Sequence, residues 1–184
     1  MKKTNFWSFL YEMFYDILVC KVLGEGKLEV NPIDITETFA TKMDLNFSRI
    51  DDNEISILLR SDHPEYVLSV IFRTDCEIIY FACDVNLSVP KNKRLAITDA
   101  MAKANERIWV GHFDLISTGS RIVYSLTIPF ASSFLIDEEV VESIIQLVMD
   151  ECNRFYHYFA IIIESKKLPE LSLNALFLET AGEA

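Results

Sequence analysis

Hydrophobic residues along this chain recur at two spacings, and the switches between them divide it into elements. Near the start, Phe6, Phe9, Leu10, Met13 and Ile17 fall on one helical face and Trp7, Tyr11, Phe14 and Leu18 on a second beside it, leaving only Ser8, Glu12 and Asp16 as a polar strip. Gly24 and Gly26 end this helix, and the charged segment to about Pro32 reads as a linker. Ile35, Phe39 and Met43, four apart, predict a short helix over 33–44 with Asp34 or Thr36 as its cap.

The spacing then changes to two. The runs EISILLR (54–60), YVLSVIFR (66–73) and EIIYFACDV (77–85) predict three strands, divided by breaks at 51–53, 62–64 and 74–76. Ile55, Ile57 and Leu59 alternate with polar residues, whereas the second run is apolar on both sides, as a central strand is. Ser88 as cap and Pro90 in the first turn open a middle helix that stops at Gly111, with Ile97, Met101, Ala104 and Ile108 as its buried stripe. A hairpin follows, turning at Gly119, and Ile122, Tyr124, Leu126, Ile128 and Phe130 alternate along its second strand. The long helix over 137–164 starts with Asp137, Glu138 and Glu139, which suit the helix dipole. Val141, Ile144, Val148, Cys152, Phe155, Phe159 and Ile162 form its inner stripe, and Tyr156, Tyr158 and Ile163 lie off it.

This order predicts an α+β fold: a two-layer structure with an antiparallel five-stranded sheet and helices packed on one face, ordered α-β-β-β-α-β-β-α, plus an extra N-terminal helix. Three parts are expected: an aromatic helix and linker over 1–30, the α+β domain over 31–166, and a mildly acidic tail over 167–184. Half of the residues are hydrophobic and only 5 are Gly and 5 Pro, so the chain is expected to fold nearly throughout.

A net charge of −11 repels phosphate backbones and anionic lipid, so neither nucleic acid nor a membrane is an expected partner. The middle helix departs from this balance, with Lys91, Lys93, Arg94, Lys103 and Arg107 against Asp99 and Glu106. Such a stripe reads as a solvated face, or as one that meets the acidic start of the last helix in another subunit. Cys20, Cys76, Cys83 and Cys152 are scattered in apolar runs, which fits free, buried thiols in a reducing cytoplasm. In the opening stretch, Glu12 and Asp16 interrupt any spanning run, and Val19 stands where a lipoprotein cleavage site needs a small residue.

Catalytic motifs are not found. Gly24-Glu25-Gly26-Lys27 lacks the spacing and the preceding strand of a phosphate loop, and no CxxC, HExxH or GxSxG occurs. His112 and Asp114, two apart, share one side of a strand, a common arrangement for exposed polar residues. No catalytic residue, metal or cofactor is therefore expected. The apolar surface at the two ends of the chain is wider than one packing neighbour consumes, which marks Trp7, Tyr11, Phe14, Leu18, Tyr156, Tyr158 and Ile163 as a protein interface. The same width in the first helix also fits full burial in a core. An alternative is a small-ligand sensor or enzyme, with a pocket between sheet and helices lined by Tyr80, Tyr124, His112 and Asp114.

In ANERIWVGHFDLISTGSRIVYSLTIPF, followed by the long aromatic helix, Asn105, Gly111, Phe113, the Gly119 turn, Tyr124 and Leu126 form a diffuse apolar pattern. On these residues the chain resembles the YbjN family of bacterial sensory-transduction regulators, over about 33–164 and most strongly over 98–160. That family is similar in architecture to type III secretion chaperones, small acidic proteins that pair through helix and strand surfaces and hold partner segments. The resemblance implies a cytoplasmic homodimer that acts by binding protein, with no catalytic residue to carry over.

Overall fold

The computed structural model describes residues 31–61, 64–116, 120–129 and 136–165. The predicted first helix, the Gly119 turn, Phe130 and the tail lie outside them.

Helix α1 spans Pro32–Lys42, with Pro32 in its first turn and Asn31 as its cap. The Asn31 carboxamide oxygen accepts from the Ile33 N–H at 2.9 Å, and its Nδ2 donates to the Asp52 carbonyl at 2.7 Å. The expected cap at Asp34 or Thr36 and the stripe Ile35–Phe39–Met43 are out of phase with this helix. Its inner face is Ile33, Thr36, Phe39 and Ala40, while Met43 is exposed. Thr36 tolerates burial because its hydroxyl donates to the Pro32 carbonyl at 2.8 Å, a bond that a sequence pattern counts as polar surface.

Six strands follow: β1 Asn46–Asp51, β2 Glu54–Leu59, β3 Tyr66–Arg73, β4 Ile78–Ser88, β5 His112–Ile116 and β6 Arg121–Pro129. They form an antiparallel sheet in the order β1-β2-β3-β4-β6-β5. The sheet therefore has one strand more than the five expected, and the described element order is α-β-β-β-β-α-β-β-α. The addition is β1, NFSRID, an edge strand with little apolar alternation. Its Arg49 faces α1, where the guanidinium bonds Asp34 at 2.7 Å and Glu37 at 2.6 Å. An ion-paired arginine stands where periodicity looks for an aliphatic residue.

Ser88 is the last residue of β4 and not a helix cap. The Val89 N–H still donates to the Ser120 carbonyl at 2.7 Å, which holds the chain extended past the expected helix start. A 3-10 turn over Lys91–Lys93 leads into α2, Arg94–Asn105, and Ile108 lies beyond its end, half-buried. Helix α3 spans Glu138–Glu164. Asp137 caps it, its carboxylate accepting from the Val140 N–H at 2.9 Å.

The chain divides into two compact units. The first runs to Ile57 and adds Ser69–Phe81 and Thr127–Ile144; its core includes Ile33, Phe39, Ile55, Val70, Phe81 and Val141. The second comprises Leu58–Leu68, Ala82–Leu126 and the chain from Ile145. In it, Leu68, Val85, Ile97, Phe113, Tyr124, Phe155 and Phe159 are buried. Every residue of the predicted inner stripe of α3 is buried. Cys83 and Cys152 are fully buried thiols as expected, but Cys76 sits exposed in the turn before β4.

Candidate protein-binding surface

Within the second unit, the residues that carry the family pattern form a structural clamp. Helix α2 buries Ile97, Ala100, Met101 and Ala104, spaced three and four apart, and this stripe brings Asn105 to the edge strand β5. The Asn105 side chain accepts from the Phe113 N–H at 2.8 Å and donates to the Phe113 carbonyl at 3.1 Å. One carboxamide thus stands in for a neighbouring strand. Gly111 takes φ +77°, and a Cβ there would lie 2.5 Å from the Tyr124 hydroxyl and 2.8 Å from the Ser125 carbonyl. The Tyr124 hydroxyl donates to the Val110 carbonyl. Its ring meets Phe113, its register partner, at 5.2 Å, and Phe113 meets Phe155 and Phe159 edge-on at 5.6 and 5.0 Å. Burial raises the Tyr124 pKa far above the usual phenol value.

Beside this clamp, the outward side of α2 is open. Leu95 at its start and Trp109 just past its end are each 84% exposed. Lys91, Arg94 and Arg107 are exposed around them, whereas Lys103 pairs with Asp99 at 2.7 Å and Lys93 bonds Ser165 at the end of α3. The net result is two large apolar side chains set in local positive charge on an acidic protein. Leu95 was legible as a large apolar residue two positions before the Ile97 stripe and off it, but the stripe alone does not report it.

The expected interface residues fare differently. Trp7, Tyr11, Phe14 and Leu18 lie outside the described residues. Tyr156 and Ile163 are half-buried on α3, and the Tyr156 ring lies 6.3 Å from that of Tyr66. Tyr158 is only 4% exposed, so its ring belongs to the interior. Burial, then the Asp99 charge, raises the Tyr158 pKa, and the Arg107 charge lowers it. Tyr66 and Ser61 both donate to the Asn153 carboxamide oxygen, at 3.0 and 2.9 Å. Burial pushes Tyr66 up to about 12, against the opposing hydrogen bond with Ser61.

Of the alternative pocket residues, the three in the second unit do not converge. His112 and Asp114 project from one side of β5, opposite Ser125 and Val123 in register, and both are exposed. Phe113, between them, points to the other side and packs against Tyr124, which the fold consumes in the clamp. Tyr80 belongs to the first unit. Among the described residues no three His, Cys, Asp or Glu side chains gather where a metal would bind, and no described helix is long and apolar enough to cross a membrane.

A family model described as "YbjN: Putative bacterial sensory transduction regulator" matches residues 32–160. No curated protein matches the chain. Among solved structures, YbjN from E. coli, described as "a putative transcription regulator", is similar at 9% identity and a TM-score of 0.47, covering 80% of this chain and 92% of that one. A chain of the ExsC-ExsE complex is similar at 13% identity and a TM-score of 0.45, covering 68% of this chain and 90% of that one. The family match runs from the first residue of α1 into the C-terminal turns of α3 and takes in well over half of the chain, so the protein belongs to the YbjN family.

Proposed function

We propose that the protein acts by binding other protein chains, as a regulatory or chaperone-like module and not as an enzyme, in the cytoplasm and as a homodimer. The observation that carries this reading is the pair Leu95, in the first turn of the well-anchored α2, and Trp109, four residues beyond its end, each 84% exposed. Leaving two such side chains in water forgoes about 1.5–3 kcal/mol of burial apiece, and tryptophan and arginine are the residues that anchor interface cores. In the homodimer proposed, this face of one copy meets the same face of the other about a two-fold axis, so that Leu95 and Trp109 leave water together. The same pairing leaves Tyr156, Ile163 and the Trp7, Tyr11, Phe14 and Leu18 face to receive a different protein, with Tyr158 supporting α3 from inside. The functional division follows: 1–30 as a docking appendage, 31–166 as the binding domain, 167–184 as a tail.

Light scattering on the full chain tests this reading. The expected mass is twice 21.2 kDa, and Leu95→Glu combined with Trp109→Ala returns it to the monomer without changing the far-UV circular dichroism. A wild type that stays monomeric at every concentration and captures the same proteins as the double variant overturns the reading.

A further inference from the structure

The first unit carries a sheet surface that breaks the usual rule for a solvated face. Val70 and Phe72 point to the core from β3, and Ile79 and Phe81 from β4, so Ile71, Ile78 and Tyr80 lie on the opposite side, where they are half-buried. On β1, Arg49 turns toward α1 to meet Asp34 and Glu37, which leaves Ile50 facing away from that helix and 58% exposed. An antiparallel sheet with one wet face places polar residues there. Ser48 of β1, Glu54 and Ser56 of β2 and Ser69 and Arg73 of β3 keep to this rule, but Ile50, Ile71, Ile78 and Tyr80 stand among them as a large apolar share of the face.

We infer that residues 6–18 of the same chain cover this face, with Phe6, Phe9, Leu10, Met13 and Ile17 laid against Ile50, Ile71, Ile78 and Tyr80. Chain length and attachment point carry the choice of occupant. The described chain begins at Asn31, which is fastened to the Asp52 carbonyl in the β1–β2 turn of this same unit. Residues 24–30 reach up to roughly 23 Å when extended, whereas β1 through β4, neighbours in the sheet, span only about 14 Å. A 13-residue helix is about 20 Å long, enough to lie over all four. Tethering by a short linker also favours the attached segment over a free copy through its effective concentration. The inference rests on the protein-binding reading in one respect: docking one face of the helix leaves the Trp7, Tyr11, Phe14 and Leu18 face turned outward as a contact surface.

Photo-cross-linking of the purified full chain tests it. With benzoylphenylalanine replacing Phe9, irradiation of dilute protein is expected to join that position to peptides from 69–81 within one chain. The same probe at Trp7 yields severalfold less of that product, and Ile71→Asp reduces the Phe9 product severalfold while circular dichroism stays unchanged. Products joining two chains would make a second copy the occupant and overturn the inference. So would products elsewhere, no product, or a yield indifferent to Ile71→Asp. Because no other protein is present, the result is separable from the proposed function: a dimer without the internal cross-link keeps that reading and loses this one, and a cross-linked monomer that captures nothing does the reverse.

Discussion

Asn105, Gly111 and Tyr124 show how a family pattern without chemistry persists in a sequence: each solves a backbone problem at the edge of the sheet. Asn105→Ala strips the Phe113 N–H and carbonyl of their partner and is expected to cost about 1–3 kcal/mol, read as a lower urea midpoint with unchanged spectra. Gly111→Ala combines a left-handed backbone with a Cβ pressed on Tyr124 and on Ser125 backbone, and about 2–5 kcal/mol is expected, enough to show as a large drop in Tm. The phenols add a pH dependence. Tyr66 and Tyr124 hold their protons in the folded state to higher pH than in the unfolded chain, whose phenols ionise near about 10. Their contribution is therefore complete below about pH 10 and is lost as pH rises toward the folded values. Urea unfolding in that alkaline range should show falling stability, and Tyr124→Phe should lessen the fall. The thiols separate by exposure. A thiol reagent is expected to label Cys76 in the native protein and to reach Cys83 and Cys152 only after unfolding, as mapped by mass spectrometry; burial, reinforced by the Cys83 neighbour, holds the Cys152 thiol well above its ordinary pKa.

At the scale of elements, legibility followed the strength of the apolar period. Helix α3 and strand β2 fall where their period puts them, because one buried face leaves a regular trace in the chain, whereas β3 is legible as a short apolar run and β6 is buried on both sides from Ile122 to Leu126. Helix α1 was found but misphased, since Thr36 is buried through a local hydrogen bond and Met43 is left outside. Strand β1 left no trace, because an edge strand draws on backbone pairing with β2 and on the Arg49 ion pairs more than on apolar side chains. The start of α2 was misplaced for a related reason: Ser88 and Pro90 are good initiating residues, but the Val89 bond to Ser120 keeps the chain extended past them. The capping signal at α3 is local, and in the sequence Asp137 stands as one of three acidic residues that suit the helix dipole. Asp137→Ala removes the bond to Val140 N–H and is expected to lower stability by about 1 kcal/mol, a shift that a thermal melt resolves.

For the whole molecule, the exposed Leu95 and Trp109 bear on association. Dilution should therefore lower the Tm of the wild type while leaving that of the Leu95→Glu, Trp109→Ala variant unchanged, as mass action requires of a dimer that unfolds to monomers. The amino-acid order alone determined the fold class, the family, most of the strands and the buried stripe of α3, since each is written as a repeat that burial on one side imposes. Tertiary structure decided which apolar residues face water, because exposure is a property of neighbours far along the chain. Tyr158 and Leu95 are both large and apolar on helices, yet the fold seals the first and leaves the second outside.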